Sequence, residues 1–180
     1  WRQHWTRWST RRVLGTAGLG ALAFGVLLAL VDGASGLTYG ADHPTEYLAN
    51  LQQLPPAGEF VRTFVDRIDG YSVHARGHPP AFLVQLVAMD RIGLGGVWPL
   101  VVLTVLCVGV SAMATLWVVR RVAGEEWMRR AAPLLVVAPY SIWLVTSGDA
   151  IFTAVGAVAT ALVVEAMHRR GALGVLLGLA

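Results

Sequence analysis

The chain has 180 residues, 56% of them hydrophobic and 14% charged, with a mean hydropathy of +0.60. A soluble domain carries about 25% charged residues, so this composition excludes an ordinary water-soluble fold and points to lipid. The net charge of +3 and pI near 9.6 raise nucleic acid as a partner, but the basic residues cluster at the ends of apolar runs, which argues against it.

All fourteen basic residues are arginine, and the single Cys107 sits inside an apolar run, leaving neither a disulfide framework nor a thiolate metal site. In chain order, Trp1, Trp5 and Trp8 with Arg2, Arg7, Arg11 and Arg12 precede a first apolar run, 13–31. A helix needs about 20 such residues to cross a bilayer, and this run is too long and too strongly flanked for a cleaved signal. A connector of 32–96 follows, holding seven of the eleven acids. Within it, "TEYLANLQQL" with Thr45 as N-cap and "PAGEFVRTFVDRI" read as short amphipathic helices on a membrane surface. "PPAFLVQLVAMDRIGLGG" opens with prolines suited to a first helical turn and reads as a re-entrant or interfacial helix.

Further spans are expected at 97–119, 131–147 and 150–167, and an apolar stretch from Gly171 reads as the start of a fifth. The chain begins at Trp1 and stops within apolar sequence, so it reads as the N-terminal part of a longer membrane protein. The expected fold is an all-α, polytopic transmembrane bundle of about four spans and the start of a fifth, in a single domain over 1–180. Arg120, Arg121, Arg129 and Arg130 lie between the second and third spans, and Arg169 and Arg170 follow the fourth. Cytoplasmic loops carry the excess of arginine, which makes the N-terminus cytoplasmic and puts 32–96 and the turn 146–149 outside a cell membrane.

That outer face collects the residues suited to chemistry. "DHPTEYL" places Asp42, His43 and Glu46 just outside the first span, where a carboxylate whose pKa burial raises would act as a base toward a hydroxyl. Plain solvation, with Glu46 favouring a helix start, is the alternative. "HARGHPP" gathers His74, Arg76 and His78 before a helix start, a combination suited to a phosphate, or simply a polar loop capping a helix. Tyr71 lies just before them and joins the substrate-binding set. The histidine spacing crosses a Gly-Pro-Pro break and gives little support to a metal site. Asp149, in "TSGD", is either the N-cap of the fourth span or a group facing the same site. No ionisable residue falls in the middle of a span, as a coupled transporter would need.

The order of one span, a long outer loop with an early carboxylate, "HPPAF" opening a helix, and a span ending in "RR" resembles the GT-C class of integral-membrane glycosyltransferases. The resemblance covers nearly the whole chain, and "HPTEYL" is similar to the His-Pro-Asp-Glu segment of some members, with Thr45 in place of their Asp. It implies an inverting transfer of sugar from a polyprenyl-phosphate donor to a glycan, lipid or protein acceptor. The resemblance assigns the base to Glu46, with Asp42 as alternate. It also implies that Arg76, His78 and His74 hold the phosphate, and that Asp149 orients the acceptor or binds a divalent metal ion. A non-catalytic scaffold of envelope assembly and a lipid or solute transporter are the competing expectations.

Overall fold

The computed structural model describes residues 8–169 together with Gly174 and Gly178. Trp1, Trp5, Arg2, Arg7, Arg170 and the helix start expected from Gly171 lie outside the described residues. Helix α1 (Thr10–Ala29) starts where Ser9 accepts a hydrogen bond from the Arg12 N–H, and it ends in a 3-10 turn, Leu30–Asp32. Between this turn and Gly96 the chain forms a layer of short helices: 3-10 turns Ala34–Leu37, Tyr47–Gln53 and Ile68–Gly70, and α2 (Ala57–Thr63), α3 (Val73–Gly77) and α4 (Ala81–Arg91). Then follow α5 (Val97–Ala123), α6 (Glu125–Val136), α7 (Ser141–Leu144) and α8 (Asp149–His168). There is no strand among the described residues.

Three of these segments, Thr10–Asp32, Val97–Ala123 and Asp149–His168, are long and apolar enough to cross a membrane. They match three of the four expected spans. Small residues let α1 and α5 pack closely, because a Cβ built on Gly18 or on Gly109 would lie 3.1 Å from the other residue's carbonyl oxygen. Val13 and Ala17 of α1 then meet Leu116 of α5 and Met128 and Ala132 of α6, all buried. Gly124, at φ +94°, ends α5 and starts α6 in a left-handed turn that suits glycine.

The segment 131–147 differs from the expected single helix. Helix α6 runs through Pro133 but stops at Val136, and α7 resumes only at Ser141. Pro139 is the physical reason: it has no N–H to donate, its ring crowds the preceding turn, and it drives Ala138 out of the helical region. The twelve residues of α6 span about 18 Å, short of the roughly 30 Å hydrocarbon core. Near the return, the buried Thr104 hydroxyl lies 2.8 Å from the Val145 carbonyl and donates to it, satisfying backbone that leaves regular helix.

The two amphipathic segments of the connector do form helical turns, with one correction. Thr45 is not an N-cap: the 3-10 turn starts after Glu46, whose side chain makes no capping bond. Thr45 instead bonds the ring of His43, at 2.7 Å from hydroxyl to Nδ1. The apolar faces of these segments bury against each other and the bundle rather than lying open. Phe60, Phe64, Tyr71, Tyr47, Phe82 and Leu83 form one core with Leu100 and Val101 of α5 and Ile151 of α8. The layer is thereby fixed to the ends of α5 and α8.

Candidate functional site

Position in the site begins with two stretches of the layer laced side by side. Asn50, almost fully buried, accepts from the Ser72 N–H at 2.8 Å and donates to the Ser72 hydroxyl at 2.7 Å. That hydroxyl donates to the Glu46 carbonyl at 3.0 Å, and the His74 N–H donates to the Thr45 carbonyl at 3.2 Å. Residues 45–47 therefore run against 72–74, and their side chains meet: Nδ1 of His74 lies 2.6 Å from Oε1 of Glu46. The Glu46 side chain is only 12% exposed, that of His74 47%.

Below this pair lies an aromatic floor. Tyr47 packs edge-on against Phe82 with centroids 4.6 Å apart, and Phe82 packs on Phe152 of α8 at 5.3 Å. Gly148 lets the turn before α8 settle on that floor, since a Cβ there would fall 2.9 Å from the Phe82 ring and 3.1 Å from the Tyr47 ring. Asp149 follows as the first residue of α8, without a side-chain capping bond. The capping role expected of it belongs to Ser147, whose hydroxyl accepts from the Asp149 N–H at 3.1 Å. The Asp149 carboxylate is left exposed.

These groups open into one cleft of about 950 Å³. Its polar part is lined by Glu46, His74, His43, Asp149 and Asp32, and its apolar part by Leu28 and Val31 at the end of α1 and Ile142 and Trp143 of α7. No family model, characterised protein or solved structure matches the chain.

Burial pushes the Glu46 carboxyl above its ordinary range; His74 opposes this, Asp149 reinforces it, and His43 opposes it more weakly. The Tyr47 hydroxyl is likewise pushed up, first by burial and then by the charges of Asp149 and Glu46. A carboxylate held so, beside an imidazole and across from a second carboxylate, is suited to exchanging a proton with a hydroxyl. Among the described residues there is no group of three His, Cys, Asp or Glu side chains able to hold a metal ion.

The structure thus brings together Glu46, His74 and Asp149 of the expected set. The others lie elsewhere. Asp42 is exposed and does not line the cleft. Tyr71 is buried in the layer's core, stacked on Phe64 with centroids 5.5 Å apart, and its hydroxyl has no hydrogen-bond partner among the described residues. His78 points to the floor: its Nδ1 lies 2.8 Å from the Tyr47 hydroxyl and 2.9 Å from the His74 carbonyl, and its ring stacks on Phe152. Arg76 is exposed on α3, two residues from His74, and residues so spaced on a helix do not face the same way. No arginine is among the described residues lining the cleft.

Three contributors were missed in sequence, Asp32 on the lining and Asn50 and Ser72 in the lacing, while His43 was named there without a role of its own. A legible signal existed for Asn50 alone, a polar residue three and four positions after Tyr47 and Glu46 on the inner face of an amphipathic segment.

Proposed function

We propose that the chain is a membrane-embedded glycosyltransferase, moving a sugar from a polyprenyl phosphate to an acceptor hydroxyl with inversion at the anomeric carbon. The observation that carries this reading is the Glu46–His74 pair, at 2.6 Å, in a cleft that Asp149 also lines together with large apolar side chains. The apolar lining suits an isoprenoid chain, and the charged and histidine lining suits the reacting sugar and hydroxyl. In this reading the Glu46–His74 pair takes the acceptor's proton while Asp149 orients the acceptor.

The segment 131–147 crosses the membrane as a broken third span, the arginine-rich end is cytoplasmic and the cleft opens outward. Phosphate binding is not assigned to Arg76 and His78 within the cleft, since neither lines it. The test is sugar transfer in proteoliposomes by Glu46→Gln and Asp42→Asn variants. Loss in the first and retention in the second is expected; the reverse puts the base on the wrong carboxylate.

One observation favours a second reading, a lipid or solute transporter: the break between α6 and α7 lies next to cleft residues Ile142 and Trp143. Transporters use broken helices to hold substrate. Movement of a polyprenyl phosphate across vesicles without sugar transfer would decide for it.

A further inference from the structure

The transferase reading leaves open which atom of the pair receives the proton. Resting on that reading, we propose that His74 is the catalytic base, acting through Nε2, and that Glu46 is the carboxylate that orients its ring.

The geometry separates the two roles. With Oε1 of Glu46 2.6 Å from Nδ1 of His74, the Nδ1 proton lies between them, and the neutral ring carries its free lone pair on Nε2. Nε2 has no hydrogen-bond partner among the described residues, and His74 lines the cleft. Glu46 is the more buried of the two by side-chain exposure, 12% against 47%. An acceptor hydroxyl reaching Oε1 of Glu46 would have to displace an imidazole N–H already bonded there, and the rest of that side chain is largely buried. Reaching Nε2 displaces nothing.

His74 is also held at both backbone ends, its N–H on the Thr45 carbonyl at 3.2 Å and its carbonyl on Nδ1 of His78 at 2.9 Å. A ring fixed in tautomer and position by a buried carboxylate, with its second nitrogen toward substrate, is the division of labour found in hydrolytic triads.

The acceptor O–H bond breaks and its proton goes to Nε2. The acceptor oxygen forms a bond to the anomeric carbon from the face opposite the phosphate. The bond from that carbon to the phosphate oxygen breaks, its electron pair leaving with the polyprenyl phosphate. The imidazolium is stabilised by the Glu46 carboxylate and afterwards releases its proton from Nε2 to water.

The test uses the full chain in proteoliposomes, with polyprenyl-phosphate mannose, arabinose and aminoarabinose as donors and a native membrane lipid extract as acceptor. His74→Ala is expected to lower kcat by roughly 10²–10⁴-fold, the usual worth of a general base, with little change in KM for the donor. Added imidazole restores part of that loss, whereas formate does not restore Glu46→Ala. Rescue of Glu46→Ala by formate, with none of His74→Ala by imidazole, overturns the proposal and makes the carboxylate the base.

The ¹⁵N spectrum of His74 in the wild-type chain in nanodiscs decides independently of whether the variant folds. A protonated Nδ1 with a bare Nε2 supports the assignment; the opposite tautomer overturns it. A wild-type chain that transfers none of these sugars overturns the transferase reading and this role together. A full-rate His74→Ala in an active chain overturns only the role.

Discussion

At the end of the bundle where α5 turns into α6, every buried or half-buried acid meets arginine. Glu125 accepts from Arg120 and Arg129, each at 2.7 Å, and from the Thr10 hydroxyl at 3.0 Å, while Glu165 is bonded by Arg121 and Arg169. Burial pushes the Glu125 carboxyl up, but the Arg120, Thr10 and Arg129 donors and the Arg129 charge outweigh it and hold it below the ordinary range. At the opposite end Glu46 meets only histidine, and its carboxyl is pushed up. The same residue type is thus held as an anion at one end and given a raised pKa at the other. What differs is the partner: a guanidinium is always charged and fixes a carboxylate as an anion, whereas an imidazole exchanges its proton near neutral pH.

The largest effect expected from breaking this comparison is on the layer that carries the reactive end. Phe60→Ala removes a ring that is 1% exposed and packed edge-on against Phe64 and Tyr71, and is expected to destabilise the layer by about 3–5 kcal/mol. Hydrogen exchange would show faster opening over residues 45–77 with α1 and α5 unchanged; uniform opening of the bundle would show that the two ends are not separable units.

A smaller effect sharpens the electrostatic half of the comparison. The Asp149 charge raises the Glu46 pKa, so Asp149→Asn lowers the proton affinity of Glu46. The Glu46 carboxylate then stays ionised to lower pH, and the acid limb of the transfer-rate profile is expected to move down. A limb that stays in place or rises would place Asp149 out of electrical reach of the pair. The smallest effect belongs to the other end: Glu126 pairs with Arg130 on an exposed helix face, and Glu126→Ala is expected to shift stability by no more than about 0.5 kcal/mol in thermal unfolding, leaving transfer intact.

How much of this was legible in sequence follows from what each signal depends on. The runs at 13–31, 97–119 and 150–167 announce their helices because length and apolarity act locally. The run at 131–147 looked continuous by hydropathy, yet Pro139 interrupts the hydrogen-bond ladder, which hydropathy does not register. The start of α4 after Pro79 and Pro80 was readable for the converse reason, since proline sets its own backbone angle.

At the site, Glu46, His74 and Asp149 were recognisable as candidates by residue type and by their common end of the bundle. Their meeting was not recognisable, because it depends on the lacing of Asn50 to Ser72 across twenty-two residues and on the close seat of Gly148 over Phe82. The same tertiary detail removed Arg76, His78 and Tyr71 from the lining, although they lie next to His74 in sequence.

In the proposed function, a lipid-linked sugar reacts in the cleft between the end of α1, α7 and the Glu46–His74 pair. Photo-crosslinking with a diazirine-bearing polyprenyl phosphate, followed by peptide mapping, tests it directly. The expected labels fall on residues 28–31 and 142–146, and excess unlabelled polyprenyl phosphate removes them. Labelling confined to the arginine-rich end, or labelling that the unlabelled lipid does not displace, would contradict it.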